Sequence, residues 1–230
     1  MSIADNVKFV QEKVAAAAIK AGRNPEEISL VAATKMNSAD RVREAIAAGI
    51  KICGENRVQE LVEKNAQKAY EGSSLHFIGH LQKNKVRNLV GVVDLIQSAG
   101  SRDLIEAIDK RAVNYGFIQD ILIEINIGRE EVKSGIMAEE LDETIAYAST
   151  LSGVRVKGLM AIPPISLKPS ETVYYFDLMR KLFVDIEAKK YDNVTMQILS
   201  MGMSHDYAEA ILSGANMVRV GTAIFGERHY

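Results

Sequence analysis

A single cysteine, Cys53, stands in this chain of 230 residues, so an intrachain disulfide and a multi-cysteine metal site are both excluded. A reducing compartment is the setting such a composition fits. Histidine is scarce too. His76, His80, His205 and His229 are scattered without metal-ligand spacing, and no Ser/His/Asp arrangement is legible. No apolar run approaches the roughly 18 residues that a membrane-crossing helix needs. The alanine-rich stretch 15–19 is too short for a signal-peptide core and sits among lysines and acids. Neither sign of charge dominates: 28 Lys and Arg face 30 Asp and Glu, a net charge of −2. A nucleic-acid-binding surface would show a concentrated basic excess. No Pro/Ser/Gly-rich linker divides the sequence. The expectation is one domain spanning 1–230, cytoplasmic, with neither membrane nor nucleic acid as partner.

What remains is a chain that is 47% hydrophobic and built on alternation. Val7, Val10, Val14, Ala17, Ala18 and Ala21 recur at helical spacing, giving an amphipathic helix closed by Gly22. Eight short apolar runs follow, at 28–34, 50–53, 75–78, 92–96, 121–127, 154–162, 194–199 and 217–220. Helical patterns separate them, with Ser38, Ser101 and Ser170 as caps, a helix opening at 54–56, a basic helix through Arg87, and a helix over 204–212. Strands alternating with helices imply parallel pairing and right-handed crossovers. Eight such units predict an α/β fold, a single (β/α)₈ TIM barrel, with the N-terminal helix as an extra element filling the eighth outer position. An open doubly wound sheet would want a glycine-rich first turn, and Thr34-Lys35-Met36 offers none.

In such a barrel the working face is the C-terminal end of the strands. Delivered there are Lys35, Asn56, His80, Lys133-Ser134-Gly135, Met160, the run Ser200-Met201-Gly202-Met203-Ser204, and Gly221-Thr222. Lys35 ends an uncharged strand; it is either a solvated charge or a desolvated amine that acts as a nucleophile. The loops after the seventh and eighth strands, where barrels frequently hold phosphate, carry Gly202, Ser200, Ser204, Gly221 and Thr222. They read as an anion cradle or as two ordinary turns with a cap. Arg219 lies inside an apolar strand and needs an acceptor, either an acid such as Glu124 or a ring nitrogen of a cofactor. Lys83, Lys85 and Arg87 read as a solvated helix face. Lys133 reads as loop charge or as a second amine at the mouth.

Several of these segments occur together in one known family. Val31-Ala32-Ala33-Thr34-Lys35, Gly54-Glu55-Asn56-Arg57-Val58-Gln59-Glu60, His76-Phe77-Ile78-Gly79-His80-Leu81-Gln82-Lys83-Asn84-Lys85, Lys133-Ser134-Gly135, Gly158-Leu159-Met160, Ser200-Met201-Gly202-Met203-Ser204 and Arg219-Val220-Gly221-Thr222-Ala223-Ile224-Phe225-Gly226 fall in the family's order. From about Ile28 onward the chain resembles the pyridoxal phosphate homeostasis proteins (the YggS/PROSC-like family).

That resemblance implies a barrel like the N-terminal domain of alanine racemase. It also implies pyridoxal 5′-phosphate held as an internal aldimine, a Schiff base, on Lys35. Asn56 would lie near the cofactor, with Met160, Ser200 and Met203 lining the site. Ser204, Gly221 and Thr222 would hold the phosphate, and Arg219 would face the pyridine nitrogen. His80 is given no role. Family members are held to bind, buffer or deliver the cofactor, which makes apo-forms of pyridoxal-dependent enzymes the expected partners and vitamin B6 homeostasis the expected role. An arginine on the ring nitrogen makes a weaker electron sink than a carboxylate. Racemising relatives bring an acid/base group from a second domain, and this sequence ends at Tyr230 without one. A racemase, and a Schiff-base aldolase acting on a sugar phosphate, are therefore the lesser expectations. A monomer suffices for the site.

Overall fold

The computed structural model describes residues 2–164 and 169–226. Eight parallel strands close on one another in chain order: β1 (Ser29–Ala33), β2 (Ile52–Glu55), β3 (Ser74–Phe77), β4 (Leu95–Ala99), β5 (Gln119–Ile125), β6 (Val154–Ala161), β7 (Val194–Ser200) and β8 (Met217–Val220). β8 pairs back onto β1, with Val31 opposite Arg219. The fold is the expected TIM barrel. Outside it run α1 (Ile3–Lys20), α2 (Ala39–Ala47), α3 (Val58–Ala66), α4 (Arg102–Tyr115), α5 (Leu141–Ser149), α6 (Pro169–Glu187), α7 (Tyr207–Leu212) and the single turn α8 (Thr222–Phe225).

Local chemistry sets the helix ends. Ser2 and Asp5 form a capping box on α1, and the hydroxyls of Ser38 and Ser101 accept the amides of Arg41 and Leu104 at α2 and α4. α4 stops at Gly116, whose φ of +72° suits a glycine C-terminus. Along α1, Ile3, Val7, Val10, Val14, Ala17 and Ala18 are buried, and the helix packs beside α2, α7 and α8. It takes the outer position between α7 and α2, beside the single turn α8, as expected.

Several boundaries differ from the sequence expectation. β2 begins at Ile52 rather than residue 50, because the Ile50 amide bonds back to Ala45 and closes the turn after α2. Gly54 and Glu55 are therefore strand residues, and the next helix starts at Val58. β4 begins at Leu95 rather than residue 92: the amides of Val92 and Val93 both return to the Leu89 carbonyl. The basic segment is a 3-10 turn, Lys83–Asn88, and not an α-helix. Ser170 lies within the first turn of α6 rather than before it. α7 starts at Tyr207, because residues 204–206 form a turn in which the Met203 amide bonds Asp206 Oδ1 at 2.6 Å. Of the residues singled out above, His229 lies outside the described part.

Strand alternation gives the barrel two apolar regions. The larger one lies between sheet and helices and includes Phe77, Ile96, Ile105, Ile121, Ile123 and Phe176. Inside the barrel, Leu95, Leu122 and Met160 pack with Ile162 and Ile198. The interior also holds polar side chains: His76, Gln97, Glu124, Ser200 and Arg219 are all buried.

Candidate functional site

At the C-terminal ends of the strands two cavities open. The first, about 480 Å³, is walled by Lys35, Asn37 and Arg41 on one side and Met203, Ser204 and His205 on the other, with Arg219, Gly221 and Thr222 from the end of β8. The second, about 370 Å³, is walled by Asn56, His80, Glu124, Asn126, Lys133 and Ser134. The expected site residues thus divide. Lys35, Met203, Ser204, Arg219, Gly221 and Thr222 share one cavity, while Asn56, Lys133 and Ser134 line the other. Met160 and Ser200 are fully buried below the mouth, inside the barrel.

The end of β1 is held firmly. Glu55 is fully buried, and its carboxylate takes the Lys64 ammonium at 2.8 Å, the Thr34 hydroxyl at 2.9 Å and the Tyr70 hydroxyl at 3.1 Å. Lys64 also donates to the Thr34 carbonyl at 2.8 Å and to Glu60 at 3.0 Å. Glu60 in turn accepts the Met36 amide at 2.7 Å, where the chain turns through φ +60°. The residues on both sides of half-buried Lys35 are therefore fixed by one cluster. Burial alone would raise the Glu60 pKa, but the Met36 amide and the Lys64 ammonium hold it below the usual range. Burial, followed by the Glu55 charge, pushes the Tyr70 phenol far up. Lys64 and Tyr70 carry no expectation from the sequence, and Glu55 stands there only within a family segment; the available signal was Glu60 and Lys64 at helical i, i+4 spacing on α3.

The two anion-cradle candidates meet directly. The Gly221 amide donates to Ser204 Oγ at 3.2 Å, and the Arg219 amide donates to the Gly202 carbonyl at 3.0 Å. Gly202 has φ +90°, and a Cβ there would stand 2.5 Å from Ala210 Cβ, so only glycine fits. Because α7 starts at Tyr207, Ser204 offers a hydroxyl rather than a helix N-terminus. Thr222 opens α8 across from it.

Arg219 is 4% exposed, and its guanidinium donates to Ser200 Oγ at 2.5 Å and to the Ala161 carbonyl at 2.9 Å. Burial pulls its pKa down to about 10, while the charges of Glu124 and Asp206 oppose the shift. Glu124 bonds Ser134 Oγ at 3.0 Å through Oε1. Desolvation raises its pKa; the Ser134 hydroxyl and the charges of Arg219 and His80 act the other way. Its Oε2 is buried without a hydrogen-bond partner, as is Asn56 Oδ1 on the same cavity. Lys133 pairs with Glu130 at the rim of that cavity. No group of three or more metal-binding side chains occurs among the described residues, and no described helix is long and apolar enough to cross a membrane.

A family model described as "Alanine racemase, N-terminal domain" matches residues 2–229. The chain is 41% identical to the pyridoxal phosphate homeostasis protein of Aquifex aeolicus, across the whole of both chains. With the Escherichia coli protein of that name it is 40% identical, over 99% of this chain and 97% of the other. Among solved structures, PipY of Synechococcus elongatus with PLP bound superposes with a TM-score of 0.85 at 31% identity, over 98% of this chain and 100% of that one. Alanine racemase of Clostridium difficile shares the fold, with a TM-score of 0.74 at 14% identity; the match covers 98% of this chain and 57% of the racemase.

Proposed function

The chain belongs to the pyridoxal phosphate homeostasis protein family, and on that premise we propose that it holds pyridoxal 5′-phosphate as a Schiff base on Lys35, keeping and handing over the cofactor without robust catalysis. One observation carries the reading: Lys35, Arg41 and Arg219 all stand on a cavity that has no carboxylate among its described lining residues. A phosphate dianion suits such a wall. The hydroxyls of Ser204 and Thr222 supply hydrogen bonds, and glycine at 221 lets the backbone come close. Arg219 faces the pyridine nitrogen and, being a permanent donor, favours its unprotonated form. Buried and unpartnered, Asn56 Oδ1 and Glu124 Oε2 belong to the second cavity, where they are acceptors open to ring substituents or to water. Bound there, the cofactor supplies an electrophilic aldehyde. The protein supplies the amine, the anion cradle and a donor at the ring.

PLP bound to PipY and the naming of the curated relatives support the same ligand. Apo-forms of pyridoxal-dependent enzymes are the partners this role requires, and a monomer completes the site. Borohydride reduction of protein loaded with pyridoxal 5′-phosphate should leave one adduct, on Lys35 by peptide mass mapping, and Lys35→Ala should lose it. An adduct that persists at another lysine would overturn the site assignment. The loaded protein should turn L-alanine into D-alanine no faster than the Lys35→Ala protein. Clear Lys35-dependent turnover would place the chain among amino acid racemases instead.

A further inference from the structure

We propose that His76, Gln97 and Ser200 form a buried, one-directional hydrogen-bond relay that aims the Arg219 guanidinium at the cofactor ring nitrogen. The inference rests on the cofactor reading above. It assigns positioning roles to two residues, His76 and Gln97, that line neither cavity at the mouth.

The relay is traced from its only fixed end. A guanidinium donates and never accepts. Ser200 Oγ, 2.5 Å from Arg219 Nη1, must therefore accept that bond. Its own single proton then goes to the other partner, Gln97 Oε1, at 2.7 Å. With its oxygen committed to Ser200, the Gln97 amide turns its NH₂ the other way. There Nε2 lies 3.0 Å from His76 Nδ1 and 3.2 Å from Met217 Sδ. Each is an acceptor for it, so His76 is the neutral tautomer protonated at Nε2. Every amide and hydroxyl orientation follows from the arginine.

Burial makes this order count. His76 and Arg219 are 6% and 4% exposed, and Gln97 and Ser200 are fully buried, so bulk water cannot replace a missing partner. The four residues come from four strands, β3, β4, β7 and β8, and link them through the barrel interior. A buried polar chain costs stability relative to an apolar core unless each member is satisfied. Here the chain leads to one functional donor. Ser200 and the Ala161 carbonyl pin two guanidinium nitrogens, leaving the remaining donors for the cavity that Arg219 lines. Without Gln97, the Ser200 proton has no acceptor, the hydroxyl can rotate, and the arginine loses its fixed partner.

The test uses Gln97→Leu and, because an apolar side chain there could disturb folding, Ser200→Ala and Ser200→Thr as well. In the ligand-free protein, the Arg219 guanidinium protons should exchange slowly in the wild type and in Ser200→Thr by NMR. They should exchange at least severalfold faster in Gln97→Leu and Ser200→Ala. After loading with pyridoxal 5′-phosphate labelled with ¹⁵N in the ring, the ring-nitrogen shift should report the unprotonated form in the wild type. It should move toward the protonated form in Gln97→Leu and Ser200→Ala, with affinity about tenfold weaker. In an Arg219→Met background, Gln97→Leu should change the ring-nitrogen shift no further. Unchanged guanidinium exchange and an unchanged ring shift in folded Gln97→Leu and Ser200→Ala would overturn the relay, whatever the loss in melting temperature. A wild-type protein that takes up no label on Lys35 would instead overturn the cofactor reading, and the ligand-free exchange measurement would still decide the relay.

Discussion

His76 is neutral in the folded protein because burial penalises the charged ring, pulling its pKa to about 4; the Asp94 charge opposes this without offsetting it. In the unfolded chain the same ring takes up its proton near pH 6.5. Between these values the unfolded state binds more protons, so stability falls as pH drops from about 6.5 to about 4, by roughly 3 kcal/mol in all. Glu124 acts in the opposite sense. Its raised pKa favours the folded state at low pH, an advantage that is lost as pH rises through the folded value. His76→Gln keeps an acceptor for Gln97 but cannot titrate. Its unfolding free energy should therefore show a flatter pH dependence over that window than the wild type, as measured by denaturant titration at a series of pH values. The places of Lys35, Ser204, Gly221 and Thr222 at the mouth of the barrel were legible in the sequence, since each follows a strand that alternation locates. Gln97 and His76 were not, because their strands read as short apolar runs and nothing in one sequence shows what faces what across a barrel.

At the level of elements, β2 and α3 form a clamp on the end of β1. Lys64 and Glu55 have 8% and 0% of their side chains exposed, so breaking the pair leaves a charge stranded out of water. Lys64→Met should destabilise the protein by roughly 3–5 kcal/mol in urea unfolding, and Lys64→Met with Glu55→Gln should recover part of that loss. A Lys64→Met protein as stable as the wild type would show that the clamp contributes no net stability. The clamp was hidden from the sequence because the αβ turn after α2 extends to residue 51, so that Glu55, expected at a helix start, belongs to β2 and faces Lys64 of α3. β4 moved for a similar reason, since Val92 and Val93 look like strand residues but close a turn on Leu89. α7 shows the limit of cap signals: Ser204 satisfies the pattern, yet Asp206 takes the Met203 amide and the helix waits until Tyr207. The number and order of strands were readable throughout, because alternation survives errors of two or three residues at each end.

Across the whole molecule, α1 joins the beginning of the barrel to its end. Asn6 Nδ2 donates to the Ile224 carbonyl of α8 at 2.9 Å, and Val7 and Val10 are fully buried beneath the helix. Val10→Asp should cost on the order of 3 kcal/mol or more, because a carboxylate cannot be solvated there, and the melting temperature should fall accordingly. The closing β1–β8 pair, in which Ser29 lies opposite Met217, sets a timetable for synthesis. Lys35 leaves the ribosome long before Gly221 and Thr222. At translation rates of about 5–20 residues per second, the amine waits roughly ten to forty seconds for the turn that completes the proposed anion cradle. A nascent chain stalled before β8 therefore exposes the lysine without the proposed cradle, and selective loading of the proposed site waits for β8.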